Sequence, residues 1–498
     1  MLKAFLVSSF LGAVLVLSQA PWDNFLVIYL VLPALLLNLE YSVKGNTIYQ
    51  RFICLFLLIG AFQYFYYFFG FWWIISAFEY REELEGFKYI TLFGLPILMI
   101  IFTIPSLIIP AIFWNNKIMR FLSLSISLSF GEYLRGNIFS GFAWNNFSYS
   151  LAVDDNLMQI FSLTGPYLAT FLLIIHSQFL VFLYKRRNIL LSISLFSILP
   201  AIFIFGYFNI DKSEFIDEKR FVIVQPNISQ EQKIKNDDPL GIISNFLELS
   251  NHDKVDLVIW PESALPILLE DNDKIIEYIF DNLPNNSYLL VGNITRNNGS
   301  YRNSALLIDS NSRTQDIYDK IHLVPFGEYM PFKNILSRIP FFKIVTGDTG
   351  FEKGNNIQAI KTPIGVARTV ICYEIIFPEE INPNNNDIDA IINLTNDAWF
   401  GNSSGPYQHL NSARFRAIEQ GVPVLRAANT GISAVIDPYG RVIRKINLNK
   451  SGYIVSSLPN KTKKTLYSKV GDFLFFGVLM LSVLVLLLIK MNRKNERI

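Results

Sequence analysis

Apolar residues run almost unbroken through the first 208 positions, alternate with polar ones through the middle of the chain, and return as one run near its end. Short polar breaks divide the first stretch into seven segments, about 3–19, 24–40, 52–76, 88–113, 118–135, 157–184 and 188–208. Most are near the ~20 residues that a helix needs to cross a bilayer. An eighth segment, 473–489, carries no charge and leads into a basic tail. The segment at 118–135 is the weakest, because serines recur and Glu132 and Arg135 stand at its end. Lys3 before an apolar run and Ser18-Gln19-Ala20 after it have the layout of a cleaved leader. A second apolar run follows at once, so a retained hairpin is the expectation.

The connecting loops give an orientation. Lys44 and Arg51, Lys117 and Arg120, and Lys185, Arg186 and Arg187 fall on alternate loops, and Lys490, Arg493, Lys494 and Arg497 form the tail. The opposite loops hold Glu79, Glu82, Glu83 and Glu85, and Asp154 and Asp155. Basic loops stay in the cytoplasm. Both termini are therefore expected there, with residues 211–468 on the far side, the periplasm of a bacterium.

That middle part has a different period. Residues 221–225, 255–260, 288–292, 305–309, 366–374 and 390–394 are short apolar, β-branched runs bounded by Asn, Asp, Gly and Pro, which predicts strands. Residues 275–280 and 408–420 read as helices, so the segment is α/β. Four domains are expected: 1–210 with seven spans, 218–459 as a folded extracytoplasmic domain, 470–490 as the eighth span and 491–498 as a cytoplasmic tail. Lys461, Lys463, Lys464 and Lys469 form a basic tether before the last span; a solvated linker and a contact with anionic lipid head groups are both open readings.

Composition sharpens this division. The chain has 498 residues, 51% hydrophobic and only 17% charged, with 43 Phe and 23 Tyr. Such a chain buries ample apolar surface and is not disordered. Its formal net charge of +2 gives nucleic acid no electrostatic footing. Two cysteines, Cys54 and Cys372, exclude a disulfide framework. His176, His252, His322 and His409 are scattered and form no metal-binding motif, so no metal or other cofactor is expected.

Three polar groups stand at predicted strand ends, where α/β proteins place their chemistry. Glu262 ends Val258-Ile259-Trp260-Pro261-Glu262 and suits proton transfer, although such a carboxylate is more often a helix-end charge. Lys320 precedes an aromatic, Pro- and Gly-containing loop, Ile321-His322-Leu323-Val324-Pro325-Phe326-Gly327-Glu328-Tyr329. Cys372, in Val370-Ile371-Cys372-Tyr373-Glu374, is the only thiol outside the predicted spans. A cysteine in an apolar strand is usually inert. In an oxidising compartment an unpaired thiol is a liability unless it is used.

Glu, Lys and Cys in this order and with these flanks resemble the nitrilase superfamily of carbon–nitrogen hydrolases. The resemblance implies an αββα sandwich over about residues 218–459. Eight spans around one such domain narrow it to the apolipoprotein N-acyltransferase family. Glu132-Tyr133-Leu134-Arg135-Gly136 followed by Ser140-Gly141-Phe142-Ala143-Trp144-Asn145 resembles that family's membrane signature, with Ala143 where Pro is usual. Asn393-Leu394-Thr395-Asn396-Asp397-Ala398-Trp399-Phe400-Gly401, Pro406-Tyr407-Gln408-His409 and Arg426-Ala427-Ala428-Asn429-Thr430-Gly431-Ile432-Ser433 resemble its later motifs. Ile234 stands where the family often has Trp, so no role in placing lipid is carried over to that position.

The resemblance implies an inner-membrane enzyme and two half-reactions. A phospholipid acylates Cys372, and the acyl group then passes to the α-amine of the S-diacylglyceryl-cysteine that begins an apolipoprotein. Glu262 is implied as the proton carrier and Lys320 as the oxyanion donor. Glu328 is implied to orient Lys320, and Tyr373 and Glu374 to shape the pocket. A monomer is expected. Residues 326–332 and 339–342 are read as lids or membrane-dipping arms, with packing between strands the alternative. A membrane-tethered nitrilase-type amidase would share the trio but has no need of the 132–145 signature. A transporter with a ligand-binding domain would carry charges or broken helices in midspan.

Overall fold

A computed structural model describes the chain outside residues 46, 81–84, 186–188, 213, 236–237, 298, 333–349, 385 and 496–498, and outside the side chains of 493–495. Glu82, Glu83, Arg186, Arg187 and Arg497, the side chains of Arg493 and Lys494, and the 339–342 arm lie beyond the described residues. The chain divides into two units: Met1–Trp73, Lys88–Ile210 and Lys469–Ile498 form one, and Ile74–Phe87 with Asp211–Ser468 the other.

The first unit is helical. Ile48–Gly70, Phe161–Tyr184, Ile189–Asn209 and Phe473–Asn492 are each long and apolar enough to cross a membrane. The segment predicted at 88–113 is broken: Phe87–Ile101 and Ile104–Phe113 meet at a bend of 46°. Pro105 and Pro110 lie beyond the break, where neither can donate a backbone hydrogen bond to continue the helix. Leu2–Ser18 and Val27–Ser42 are shorter apolar helices. Lys117–Asn137 carries Lys117, Arg120, Glu132 and Arg135 and is not among the apolar set. Its two buried charges are matched to each other: Arg135 Nη2 lies 2.5 Å from Glu132 Oε2, and Tyr67 Oη donates to Glu132 Oε1 at 3.0 Å. Arg135 also donates to the carbonyl of Phe142, so the two halves of the 132–145 signature are bound together. Pairing is what makes such charges tolerable in an apolar interior.

The second unit holds two six-stranded sheets. The first runs in the order β12 (Gly452–Pro459), β1 (Phe215–Gln225), β2 (Leu257–Trp260), β3 (Tyr288–Asn297), β4 (Ser300–Ile308) and β5 (Thr314–Asp319). The second runs β11 (Val442–Ile446), β10 (Ser433–Ile436), β9 (Val424–Ala428), β8 (Ala390–Thr395), β7 (Gly365–Ile371) and β6 (Ala359–Thr362). Each sheet has a parallel core, β1–β2–β3 in one and β7–β8–β9 in the other.

Alternation along the strands builds the layers. Phe221, Ile223, Leu257, Ile259 and Leu290 meet Ile371, Ile392, Leu394, Leu425 and Val435 in one buried cluster between the sheets. The intervening residues Val222, Val224, Val258, Trp260, Leu289 and Val291 face outwards onto Ile243, Phe246 and Leu247 of helix Pro239–Ser250 and Ile276 and Ile279 of helix Asp273–Asn282. Helix Gly405–Gln420 packs on β9 and β10. The result is the helix–sheet–sheet–helix layering expected of a nitrilase-like domain. Each fully buried aliphatic side chain contributes about 1.5–3 kcal/mol to it. In the tether, Lys461 is not simply solvated, since it pairs with Asp387 at 2.7 Å and Asp389 at 3.0 Å.

Candidate active site

The site is assembled at the carboxyl ends of strands, where open α/β sheets leave a crevice for ligands. Trp260, fully buried at the end of β2, donates through Nε1 to Ser250 Oγ at 2.9 Å and fixes the strand's exit. The turn that follows crosses Gly292 so closely that a Cβ there would stand 2.6 Å from the Glu262 Cα. Only glycine allows that approach. Glu262 is buried, and three donors meet its carboxylate. Asn303 Nδ2 donates to Oε1 at 2.8 Å, the Asn396 backbone N–H donates to Oε2 at 2.8 Å, and Lys320 Nζ stands 3.5 Å from Oε1.

Lys320 follows β5 directly, and its backbone N–H donates to Asn303 O at 2.8 Å. Its side chain is 1% exposed, and its ammonium lies 2.9 Å from Glu328 Oε1. Glu328 is carried by the turn after Lys320. Its Oε2 accepts the Val324 backbone N–H at 2.8 Å and its Oε1 accepts Asn303 Nδ2 at 3.0 Å. Asn303 thus bridges the two carboxylates that flank the lysine. Within the 326–332 loop, Phe326 has φ +64 and is exposed, as is Phe332.

Cys372 follows β7 and turns the chain with φ +50, a left-handed conformation that costs a non-glycine residue about 1–3 kcal/mol. It is buried, with Thr395 at the end of β8 beside it. Both cysteines of the chain are unpaired.

Charge and burial act oppositely on the two reactive groups. Burial disfavours the Lys320 ammonium, but Glu328 and Glu262 outweigh it and hold the lysine well above its usual value. Burial, then the Glu262 charge, pushes the Cys372 thiol well above the ordinary cysteine range, and Lys320 counters only in part. The resting site therefore couples a fixed positive charge to a neutral thiol. Such a thiol becomes nucleophilic only as a neighbouring base takes its proton. Among the described residues no group of His, Cys, Asp and Glu could hold a metal ion.

The remaining predicted residues are placed differently. Glu374 Oε1 accepts from Tyr318 Oη at 2.7 Å, Ile321 N at 2.8 Å and His322 N at 3.2 Å, and its Oε2 accepts from Ile371 N at 2.7 Å. It braces the Lys320 strand end against the Cys372 turn, with both oxygens engaged inside the protein. Tyr373 is buried edge-on to Phe377 and His322. Ile234 is 55% exposed on the short helix Gln230–Lys235. Sequence reasoning assigned no role to Asn303, Thr395 or Asn396. The last two lie in a quoted motif, which was the available signal, whereas Asn303 sits on β4 with nothing in its neighbourhood to mark it.

Comparison with known proteins bears on both units. The Carbon-nitrogen hydrolase family matches residues 223–466. The Apolipoprotein N-acyltransferase N-terminal domain matches residues 11–179. Similar curated proteins are named apolipoprotein N-acyltransferase. That of Rhodopseudomonas palustris is 34% identical over 98% of this chain and 95% of its own length. That of Bradyrhizobium diazoefficiens is 33% identical over 94% and 92%. That of Rickettsia prowazekii is 35% identical over 84% and 83%.

Proposed function

The chain belongs to the apolipoprotein N-acyltransferase family, and we propose that it carries out its acyl transfer through a thioester on Cys372, with Glu262 moving the proton and Lys320 holding the oxyanion. The donor is a membrane phospholipid. The acceptor is the free α-amine of an apolipoprotein's S-diacylglyceryl-cysteine.

The observation that carries this reading is the convergence of Glu262 and Lys320, 3.5 Å apart, around a buried thiol whose charge state both influence. In the first half-reaction Glu262 takes the Cys372 proton as sulfur attacks the ester carbonyl. The carbonyl oxygen becomes an oxyanion facing the Lys320 ammonium. Collapse breaks the ester C–O bond, and the proton on Glu262 passes to the departing lysophospholipid hydroxyl. In the second, Glu262 takes a proton from the attacking amine, the C–S bond breaks and the proton returns to sulfur. A fixed ammonium at the oxyanion contributes about 3–4 kcal/mol to such a barrier. Glu328 keeps that ammonium aimed, and Glu374 and Tyr373 hold the turn from which the thiol projects.

We further propose an eight-span bundle in a bacterial inner membrane, formed by residues 1–210 and 470–490. Both termini and the 491–498 tail lie in the cytoplasm, and a monomeric catalytic domain over 218–459 lies in the periplasm. Donor and acceptor are both membrane-bound, so anchoring raises their effective concentration at the site. A dry pocket also spares the thioester from hydrolysis. The test is transfer in detergent from a phospholipid with a labelled acyl chain to a synthetic diacylglyceryl peptide. The reading expects labelled amide with the intact chain and none with Cys372→Ala; label transfer by folded Cys372→Ala overturns it.

A further inference from the structure

Three sequence motifs, at 393–401, 406–409 and 426–433, take no part in the chemistry above beyond the two contacts made by Thr395 and Asn396. They meet in one buried cluster behind the nucleophile. Asp397 Oδ2 lies 2.7 Å from Arg426 Nη2, and its Oδ1 lies 2.8 Å from His409 Nδ1. The other nitrogen of the ring, Nε2, lies 3.1 Å from the backbone carbonyl of Cys372. Thr395 Oγ1 donates to Asp397 Oδ1 at 2.9 Å. Arg426 also donates to Asn393 Oδ1, and Asn393 Nδ2 donates to Val370 O at 3.3 Å, two residues before the thiol. The side chains of His409, Asp397 and Arg426 are all wholly buried. Gly431 leaves room for the arrangement, since a Cβ there would stand 2.3 Å from Asp397 Oδ2.

A buried polar cluster of this size is costly unless its members are satisfied and held in place. Here it terminates on the one peptide group that matters to the nucleophile. Cys372 is left-handed, so its thiol direction depends on the peptide that follows it. A carbonyl accepts, so the His409 Nε2 that faces it carries hydrogen, and in the neutral ring that burial and Arg426 favour, Nδ1 accepts from Arg426 Nη2 at 3.1 Å. We propose that His409 is a positioning residue for the acyl-transfer reaction: it donates from Nε2 to the Cys372 carbonyl, is itself held by Asp397 and Arg426, and thereby keeps the thiol aimed at the acyl carbonyl. It touches neither substrate nor sulfur. The inference rests on Cys372 being the nucleophile, and it adds a function for the three motifs that the trio alone leaves idle.

The test compares His409→Gln with His409→Asn in the full-length enzyme, reading single-turnover acylation of Cys372 by phospholipid alongside thermal melting. A Gln amide reaches about as far as Nε2 and keeps a donor for the carbonyl, whereas Asn reaches only as far as Nδ1. His409→Gln should retain most of the acylation rate. His409→Asn should lose roughly 10–100-fold in that rate, with KM for phospholipid unchanged, because a misaimed nucleophile affects the chemical step. Equal rates in two folded variants overturn the inference. If the His409 variants do not fold, Gly431→Ala pushes on Asp397 without removing a polar group. A similar fall in rate at unchanged KM supports the inference, and a wild-type rate in folded Gly431→Ala overturns it. Absence of any adduct on the wild-type thiol would instead defeat the nucleophile assignment itself.

Discussion

The backbone N–H of Asn396 donates to Glu262 Oε2 across 2.8 Å, and this bond joins the end of β8 in one sheet to the turn after β2 in the other. Glu262 is therefore a clasp between the sheets as well as the proposed base. Glu262→Gln preserves an acceptor for Asn396 but not the ability to take a proton. It should lower acylation of Cys372 by roughly 10²–10⁴-fold with little change in melting temperature. Glu262→Ala leaves the Asn396 N–H without its partner and the Asn303 amide with Glu328 alone, and should also cost about 1–3 kcal/mol of stability. Rapid-quench acylation and thermal melts on both variants separate the two roles.

Lys320 stands between the Glu262 and Glu328 carboxylates, at 3.5 and 2.9 Å. Lys320→Met removes the oxyanion donor and sets two carboxylates facing each other. A fall of roughly 10²–10³-fold in acylation rate is expected, together with a loss on the order of 3–5 kcal/mol in a denaturant melt. A variant that melts as the parent does would show that Lys320 does not balance those charges.

Glu328→Gln keeps an acceptor for the Val324 N–H and loses the charge beside the lysine together with the oxygen that accepts from Asn303 and Lys320. Its rate should lie between those of the parent and Lys320→Met. KM should be little altered, because the ammonium remains present but is less firmly aimed. Steady-state kcat and KM in mixed micelles check this order.

Acid stability follows from Asp397. Burial resists its ionisation, but Arg426 and His409 outweigh burial and hold the carboxyl well below the usual carboxylate range. A folded-state value below the unfolded ~3.9 means that the stabilisation is present above that pH and is lost as pH falls towards the folded value. The melting temperature should drop steeply below about pH 4 in the parent. Asp397→Asn should be less stable at neutral pH and fall more gently in acid. Parallel acid limbs in the two proteins would refute the assignment.

Topology is checked by fusing to the C-terminus a reporter active only in the cytoplasm. The eight-span arrangement expects activity, and a silent fusion with an active periplasmic counterpart contradicts it.

The sequence showed most where burial is uniform. β2, β7 and β8 are apolar runs whose exits carry Glu262, Cys372 and Thr395, and each was visible as a run with a polar residue beyond it. Lys320 was read as standing at a strand end, but β5 itself was not among the predicted runs, because Thr314–Asp319 is largely exposed and polar. β9 is wholly buried yet has Arg426 at its centre, and a charge in a strand reads as surface until its partners Asp397 and Asn393 are in view. Helix Pro239–Ser250 was likewise missed, although Asp238 caps it by accepting from Gly241 N at 2.9 Å. The break between 101 and 104 lay hidden inside one apolar run, since hydropathy does not register a proline's missing donor. Glu374 was legible from its position beside the thiol, but the Tyr318 hydroxyl and the Ile321 backbone N–H that occupy its Oε1 come from residues distant in sequence and could not be read there.

The central claim is a covalent acyl-enzyme on Cys372, and intact-protein mass spectrometry of the enzyme incubated with phospholipid alone tests it most directly. The account predicts a mass increase of one fatty acyl chain, localised to Cys372 by peptide mapping, labile to hydroxylamine and discharged on adding a diacylglyceryl peptide. Full transfer activity with an unmodified Cys372 at every time point would contradict it.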